Sequence, residues 1–462
     1  MRTSGLLIVL FLSIFDIHLY SQAISSELVK GYKETAQKIT DSALVNRNAY
    51  SMLKKLCNIG PRLSGSENSI TAIHWAENKM KELGFDNVHL QPVIVPHWVR
   101  GNVEKAVIVN GRYKDREINI CALGGSIGTE IDGITAPVIE VKSLNEIDSV
   151  KQKVKGKIVF INESMDETLL STFAAYGKAA GKRIFGAIKA ARYGAVAVII
   201  RSITTRFDNV PHTGVMIYND TIPKIPGVAA GYMDSDFLSK ALKDSPDLKI
   251  NLKLKCKTLP DIPSFNVIGE IKGSEFPNEI VLVGGHIDSW DKGMGAHDDG
   301  AGCVQTIEVL DLIKHLNLKP KRTIRCVLFI NEENGSRGSE AYGQYADSSG
   351  EKHIAAIESD AGGFTPRGFG VSADSSVILK IQSWLPILKL CGIDYIEKGG
   401  GGADISDIKK AKALIGYKPD SQRYFDYHHS DNDVFDAVNP RELELGSAAI
   451  TVLVYLISEE GL

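Results

Sequence analysis

The sequence shows no strong excess of charge of either sign. Its 462 residues include 53 Lys and Arg and 56 Asp and Glu, which give a formal net charge of −3. No block of like charges interrupts this balance, so the sequence gives no indication of nucleic acid or an anionic membrane surface as a partner. It also has no internal repeat and no low-complexity tract, which argues against a repeat architecture.

Long apolar runs are equally scarce. Beyond the N-terminus no segment has about 18 consecutive apolar residues, the length that a membrane-spanning helix needs, so we expect no membrane span in the mature chain. The N-terminus carries Arg2, then the apolar run GLLIVLFLSIF and then SQA at residues 21–23. This pattern predicts a secretory signal peptide over residues 1–23, cut after Ala23 or Ser21. A short membrane anchor is the alternative, but the apolar run is too short to span a bilayer comfortably.

A signal peptide predicts a secreted, extracellular protein, or one that stays along the route through the ER, Golgi and lysosome. Two sequons, at Asn162 and Asn219, are then candidate glycosylation sites, whereas Asn334 lies beside an acidic pair and is not expected to carry a glycan. The six cysteines show no C-x-x-C pairing, and a chain of this length needs no disulfide framework. Cys303 and Cys326 lie in apolar segments and are predicted to be buried thiols; any pairing is left undetermined.

Three patterns follow one another along the chain. Residues 24–130 begin with helical periodicity and end in an alternating strand, and residues 131–254 contain a small unit of two strands flanking a helix. Residues 255–462 alternate regularly between apolar strands and amphipathic helices. Strands that are continuously apolar between helices predict an α/β fold, with a mostly parallel sheet covered by helices on both faces. Residues 24–130 and 255–462 would form one discontinuous domain, with 131–254 as a smaller α/β insert.

Acidic and His residues follow the predicted strands of the last region. They fall in five separate segments: His286 and Asp288, Asp298 and Asp299, Glu332 and Glu333, Asp360, and His428 and His429. Because sites in open α/β sheets form at the carboxyl ends of strands, we expect these segments to meet at one rim of the sheet. Each alone is ordinary, since an Asp before a helix is most often an N-cap.

Together, these groups indicate a bound cation. Carboxylates so close to one another repel strongly unless a positive charge neutralises them. Two His and three or four carboxylates suit Zn²⁺, which binds nitrogen and oxygen ligands. The set is large enough for two zinc ions that share a bridging carboxylate.

Four motifs carry a family resemblance when they are taken in order. GHIDSWDKGMGAHDDGAG, FINEENG, IESDAGG and YFDYHHSDND resemble those of the co-catalytic zinc exopeptidases, a family that includes bacterial leucyl aminopeptidase and glutamate carboxypeptidase II. The turn GPRLSGS at residues 60–66 matches an early turn of the family, and residues 131–254 look like its protease-associated insert. The resemblance implies a zinc-exopeptidase fold, two Zn²⁺ per chain, a small peptide substrate and a homodimer.

The resemblance also implies roles for individual residues. The metal ligands would be His286, Asp298 as the bridging carboxylate, Glu333, Asp360 and His429. Glu332 would be the general base for a water shared by the two metals, and it would pass the proton to the leaving amine. Asp288 would hydrogen-bond the far nitrogen of His286 and fix its tautomer. The non-ligands would be His297, His428 and Asp299.

The substrate contacts are left open by the sequence. The glycine-rich stretch at residues 398–407 is either a flexible surface loop or a cleft wall that supplies N–H groups and Asp404. Trp290 and Asp291 are candidates for shaping the cleft. Arg337 is a candidate anchor for a substrate carboxylate, with a surface salt bridge as the alternative.

Three functions are compatible with this pattern. The first is a secreted or lysosomal di-zinc exopeptidase that hydrolyses dipeptides or short peptides. The second is a glutaminyl cyclase, which shares the fold but works with a single zinc and would not require the complete ligand set. The third is a receptor-like binding module of the same fold, although relatives of that kind have lost ligands and none is missing here.

Overall fold

A computed structural model describes residues 26–462. The predicted signal peptide, residues 1–23, lies outside the described residues. The strands are β1 Asp86–Val99, β2 Glu104–Ile108, β3 Glu117–Ile118, β4 Ile120–Ala122, β5 Ile134–Val141, β6 Ile158–Ile161, β7 Ala197–Arg201, β8 Gly227–Ala230, β9 Lys249–Leu254, β10 Lys257–Ile271, β11 Phe276–His286, β12 Arg322–Phe329, β13 Lys352–Glu358, β14 Pro366–Ala373, β15 Tyr395–Lys398 and β16 Ala413–Pro419.

The α-helices lie between and around these strands. They are α1 Ser26–Asn46, α2 Asn48–Cys57, α3 Glu67–Glu82, α4 Ile147–Val150, α5 Thr172–Ala191, α6 Tyr232–Asp244, α7 Ala301–His315, α8 Arg337–Ser348, α9 Ser375–Ser383, α10 Leu385–Leu388 and α11 Pro440–Glu460. Within residues 26–462, none of the helices combines the length and apolar character that crossing a membrane requires.

The larger sheet confirms the predicted α/β fold class. Its order is β1-β10-β12-β11-β13-β16-β14-β15. The four central strands, β12, β11, β13 and β16, run parallel, while antiparallel pairings join β1, β10 and β14 to them. Strand β11 is apolar and buried from Ile280 to Gly285, as expected for a strand that is covered on both faces. Val281 and Val283 face the core that includes α7 and α11, while Ile280 and Leu282 face the core that includes α8.

A second sheet occupies the middle of the chain. Its order is β3-β2-β9-β5-β6-β7-β8-β4, with a parallel run from β5 to β8. The strands β2, β3 and β4 belong to this sheet although they precede residue 131, where the insert was predicted to begin. The sheet therefore extends from Glu104 to Leu254. As a division into domains, the boundaries given above stay a prediction.

The cysteines and sequons can be placed in this fold. All six cysteines are buried free thiols, which confirms the prediction for Cys303 and Cys326. Asn219 is exposed, whereas the amide nitrogen of Asn162 donates to Glu140 at 2.6 Å and its oxygen accepts from Arg201 at 2.6 Å. A glycan on Asn162 would break the first of these bonds, so Asn219 is the more accessible of the two candidates.

Candidate metal centre

The parallel strands bring the predicted residues to one edge of the larger sheet. Strand β11 ends at His286 and lies between β12 and β13. The chain after β12 carries Glu332 and Glu333, and the chain after β13 carries Asp360. Asp298 lies just before α7, and its backbone N–H donates to Asp433 at 3.1 Å. The segment after β16 supplies His428 and His429.

Asp298 lies at the centre of this group, and its two oxygens face different partners. Oδ1 is 3.3 Å from His286 Nε2, which is 3.5 Å from Asp360 Oδ1. Oδ2 is 3.3 Å from His429 Nε2, which is 3.1 Å from Glu333 Oε2. The five predicted ligands thus form two donor groups that share one carboxylate.

Buried polar atoms without hydrogen-bond partners show that the donors fit a metal. Among residues 26–462 these include His286 Nε2, Asp298 Oδ2 and Asp360 Oδ1. A buried polar atom that finds no partner costs about 1–3 kcal/mol, which a metal bond at the same atom would offset. Imidazole nitrogen and carboxylate oxygen are the donors that Zn²⁺ accepts. His286, Asp298 and Asp360 have ligand atoms within 4.8 Å of one another, and so do Asp298, His428 and His429.

The charges of the metal-free site indicate the same need for a cation. Burial raises the pKa of Glu333 well above its ordinary value, and the nearby Asp298 raises it further. Burial raises the pKa of Glu332 to about 8, with His286 opposing this rise and Asp360 and Asp298 adding to it. Burial alone would lower the pKa of His286, but Asp360 and Asp298 raise it well above the usual value. The carboxylates crowd one another, so their full ionisation requires positive charge between them.

Asp288 makes different contacts from those predicted. The far nitrogen of His286, Nδ1, lies 3.0 Å from the backbone carbonyl of Asp288, whereas the Asp288 carboxylate is 3.9 Å away. That carboxylate accepts instead from the backbone N–H groups of Asn331 at 2.7 Å and Glu332 at 3.1 Å, and from Ser64 at 3.0 Å. The backbone carbonyl of Asp288 therefore orients His286, and the Asp288 side chain holds the turn that carries Glu332 and Glu333.

Two residues predicted to be non-ligands use their side chains for other contacts. Asp299 accepts from the N–H of Gly302 at 2.9 Å at the start of α7, and from the N–H of His286 at 3.1 Å. The His297 ring stacks on Phe364 with centroids 4.2 Å apart. Burial lowers the pKa of His297 to about 4, so it is a neutral side chain in an aromatic stack.

Known proteins of several kinds match this chain. Residues 266–454 match the family model described as peptidase family M28. Carboxypeptidase Q of Bos taurus is 35% identical, over 95% of this chain and 91% of its own length. The chain belongs to peptidase family M28. The family predicted from the motifs is thereby confirmed.

Solved structures agree with this assignment. The M28 chain matches a peptidase M28 precursor from Shewanella amazonensis SB2B with a TM-score of 0.89 and 33% identity, covering 93% of this chain and 97% of the other. It also matches a zinc aminopeptidase from Bacillus subtilis with a TM-score of 0.63 and 23% identity, over 88% of this chain and 94% of the other. The second match shows a common fold.

Helix α5 covers the candidate metal centre of the M28 chain, a feature that the sequence analysis did not predict. Tyr176 stacks on Phe425 with centroids 4.6 Å apart and meets the edge of His428 at 5.0 Å. A cavity of about 240 Å³ lies between the helix and the donors, lined from the helix side by Phe173, Tyr176 and Arg183. The i, i+3 spacing of Phe173 and Tyr176 is the only local signal, and such a stripe usually indicates core packing.

The glycine-rich loop borders a cavity beside the candidate centre, and its N–H groups at residues 403 and 405 are bonded within the protein. The N–H groups of Ala403 and Ile405 donate to Glu358 at 2.8 and 2.9 Å, and Asp404 is buried. Gly400, Gly401 and Gly402 line a cavity of about 780 Å³ that shares Phe173 and Asp360 with the smaller one. Arg337, by contrast, pairs with Asp261 at 2.6 Å on the surface, which is the salt bridge weighed in the sequence analysis.

Proposed function

We propose that this M28 chain is a di-zinc exopeptidase that hydrolyses dipeptides or short peptides. The observation that carries the proposal is the position of Asp298, whose two oxygens each face a separate His and carboxylate pair. His286 and Asp360 would hold one Zn²⁺, His429 and Glu333 the other, and Asp298 both. Two bound Zn²⁺ ions would polarise the scissile carbonyl and lower the pKa of a water molecule.

Glu332 is the general base of the proposal. Its carboxylate lies 4.0 Å from His286 Nε2 and lines the 240 Å³ cavity without belonging to either donor pair. It would accept the proton of the attacking water and give it to the leaving amine. Asp288 supports this role because its carboxylate fixes the backbone N–H of Glu332. Because the backbone of Glu332 is held by this hydrogen bond, its carboxylate keeps the same position for both proton transfers.

The alternatives have less support. A single-zinc cyclase would need only one of the two donor pairs, yet both are assembled around Asp298. A receptor-like module would need neither the ligands nor a base, yet Glu332 faces the cavity. Secretion, supported by the N-terminal signal-peptide pattern, and assembly as a homodimer, supported by the family resemblance of the motifs, are further parts of the proposal.

Adjacent glutamates offer a matched test. Glu332→Gln is expected to keep both zinc ions and to lower kcat by about 10²- to 10⁴-fold, because only the proton acceptor is lost. Glu333→Gln is expected to lose zinc as well as activity, because it removes a ligand. Zinc per chain is measured by mass spectrometry, and hydrolysis is followed with a panel of unblocked dipeptides. Full activity in Glu332→Gln, or one zinc per active wild-type chain, would contradict the proposal.

A further inference from the structure

His212 is a buried histidine in the loop between β7 and β8, and it reaches the candidate metal centre from the second sheet. Only 2% of its surface is exposed. Its backbone N–H donates to the hydroxyl of Ser202 at 2.9 Å, and that hydroxyl donates to the carbonyl of Ala230 at 2.7 Å. Ser202 directly follows β7, and Ala230 is the last residue of β8. The position of His212 is therefore fixed by the second sheet.

The ring of His212 makes a hydrogen bond through one nitrogen. Nδ1 lies 2.7 Å from the backbone carbonyl of His428 and donates to it, since a carbonyl can only accept. Among residues 26–462, the other nitrogen, Nε2, has no hydrogen-bond partner. A buried nitrogen without a partner costs free energy, and an apolar side chain of similar size would avoid that cost. Packing alone therefore does not explain a histidine here, whereas the Nδ1 bond does.

The carbonyl that accepts this bond lies inside a tight turn. His428 and His429 are the two central residues of the turn, which is closed by a hydrogen bond from the N–H of Ser430 to the carbonyl of Tyr427 at 3.1 Å. His429 has a φ of +61°, which is uncommon for a residue other than glycine. The sign of φ at the second central residue of a turn depends on the orientation of the central peptide. Because His212 binds the carbonyl of that peptide, it holds His429 in its positive φ.

The neighbouring residue, Thr213, holds His429 from the same loop. The N–H of Thr213 donates to the carbonyl of His429 at 2.9 Å, and its hydroxyl donates to the carbonyl of Ala122, at the end of β4, at 2.8 Å. The imidazole carried by this backbone directs Nε2 toward Glu333 at 3.1 Å and Asp298 at 3.3 Å. Two successive carbonyls of the turn are thus held by two successive residues of the second sheet's loop.

The other donor pair is held from the larger sheet. His286 is the last residue of β11, and its Nδ1 lies 3.0 Å from the carbonyl of Asp288. Its N–H donates to Asp299 at 3.1 Å. Both partners belong to the segment between β11 and α7. The two histidines of the candidate centre therefore differ in the sheet that keeps each of them in place.

We propose that His212 is a positioning residue for the proposed zinc ligand His429, so that the second sheet sets the affinity of one of the two metal positions. This inference rests on the proposed function, because it requires two bound Zn²⁺ ions. Without the Nδ1 donor, the central peptide of the turn is free to rotate, and His429 would turn Nε2 away from the neighbouring carboxylates. The zinc held by the other donor pair would keep its ligands.

The test measures zinc binding by the full chain. His212→Leu removes the Nδ1 donor and is expected to weaken one zinc by about 10- to 100-fold while the other is unchanged. His212→Asn, whose amide nitrogen takes the place of Nδ1, is expected to recover most of the loss. Zinc per chain is counted by mass spectrometry in chelator-buffered solutions of decreasing free zinc. Melting temperatures are measured for every variant.

A second buried histidine provides the control. His353 is 4% exposed and its Nε2 lies 3.0 Å from the hydroxyl of Tyr342. It lies near the start of β13, whereas the candidate centre lies beyond the end of that strand. His353→Leu therefore also removes a buried ring and its hydrogen bond, and it is expected to lower the melting temperature without changing zinc affinity.

A double variant identifies the zinc that is affected. His429→Gln is expected to lack this zinc already, so the addition of His212→Leu is expected to leave the affinity for the remaining zinc unchanged. A further loss of affinity in the double variant would overturn the inference. If His212→Leu does not fold, His212→Asn is compared with His212→Gln, whose longer side chain carries its amide past the position of Nδ1. Equal zinc affinities in these two variants would then overturn the inference.

Other outcomes separate the inference from general stability and from the proposed function. Equal weakening of both zinc ions in His212→Leu, or the same loss of zinc in His353→Leu, would show that His212 only stabilises the fold. Unchanged zinc binding in His212→Leu would show that the turn keeps its shape without the hydrogen bond. A wild-type chain that binds a single zinc would refute the proposed function itself, which keeps the two failures apart.

Discussion

A single carboxylate, that of Asp298, organises the candidate centre. Burial alone would raise its pKa, but the nearby His286 and His428 keep the pKa below the ordinary value. Its position depends on the backbone, since Asp433 accepts the N–H groups of both His297 at 2.7 Å and Asp298 at 3.1 Å. An ionised oxygen is thus held toward each of the two donor pairs.

The neighbouring histidines 428 and 429 give a prediction at this scale. His429 Nε2 is within 3.3 Å of both Asp298 and Glu333, whereas His428 Nε2 is 3.7 Å from Asp298 alone. His429→Gln is therefore expected to lose one zinc per chain and at least about 100-fold in kcat/KM. Loss of a group that only supports a metal ligand already costs about 10- to 100-fold, and loss of the ligand itself is expected to cost more.

His428→Gln is the matched control for that variant. The two rings stack 3.4 Å apart, so both substitutions disturb the same local packing. The His428 variant is expected to keep two zinc ions per chain, counted by mass spectrometry after dialysis. Loss of zinc from His428→Gln alone would show that the ligand is the other histidine.

At the scale of the elements, the sequence was sufficient to predict the site residues that directly follow the parallel strands. The apolar run of β11 leads straight to His286, and the runs of β12 and β13 lead to Glu332 and Asp360, because parallel strands carry their loops to one edge. The sequence did not predict the helix that covers the site. Tyr176 and Phe425 are far apart in the chain, and no local periodicity reports such a contact.

The same reasoning explains why the sequence does not show that strands β2, β3 and β4 pair in the second sheet. Strand β2 pairs with β9, where Ala106 lies opposite Leu252. Strands β3 and β4 are only two and three residues long, too short for an alternating pattern to be distinguished from a loop. Long-range pairing decides their sheet, and this information is absent from a single short segment.

Helices α7 and α11 bury a pair of glutamates, and this pair gives a second prediction. Within residues 26–462, neither oxygen of Glu308 has a hydrogen-bond partner, while Glu444 accepts from the N–H of Tyr50 at 2.9 Å. Burial raises the pKa of Glu308 well above its ordinary value, and Glu444 raises it further. Burial also raises the pKa of Glu444, to about 7.

Glu308→Gln is expected to be more favourable to stability at about pH 8 than at about pH 5, by about 1.4 kcal/mol for each unit by which burial raises the Glu308 pKa, because the amide is neutral without a proton. The folded state binds the Glu308 proton more tightly than the unfolded state, so stability falls as pH rises above the unfolded pKa of about 4.3. The variant removes this loss, and thermal unfolding at about pH 5 and pH 8 measures it. Glu34→Gln, on the exposed side of α1, is the control; an unchanged pH profile in Glu308→Gln would contradict the prediction.

At the scale of the whole molecule, the two sheets enclose the candidate centre between them. Buried Arg100 links them, since it donates to Asp291 at 2.9 Å, to Glu104 at 3.0 Å and to Thr213 at 3.2 Å. Asp291 belongs to the loop after β11, so the motif that carries His286 also contacts the second sheet. The part of the chain that forms the second sheet thus also supplies helix α5 and the loop between β7 and β8, which contains Thr213, to the surroundings of the candidate centre.

Removing zinc is expected to make the stability of the whole molecule depend on pH. In the metal-free chain, burial raises the pKa of Glu332 to about 8, and those of Glu358 and Asp433 to about 7. Their unfolded values are about 4, so between about pH 4 and pH 7 each of these three carboxyls is protonated to a greater extent in the folded chain than in the unfolded chain. The free energy of unfolding therefore falls as pH rises through this window.

Zinc reverses this dependence because it replaces protons as the positive charge of the site, and it binds the folded chain more tightly as the ligands lose protons. The melting temperature of the metal-free protein is expected to be lower at about pH 8 than at about pH 5.5, and the increase on adding zinc is expected to be larger at pH 8. Calorimetry of both forms at both pH values measures the two differences. A metal-free chain that melts at the same temperature at both pH values would show that the buried carboxyls are neutralised by something other than protons or zinc.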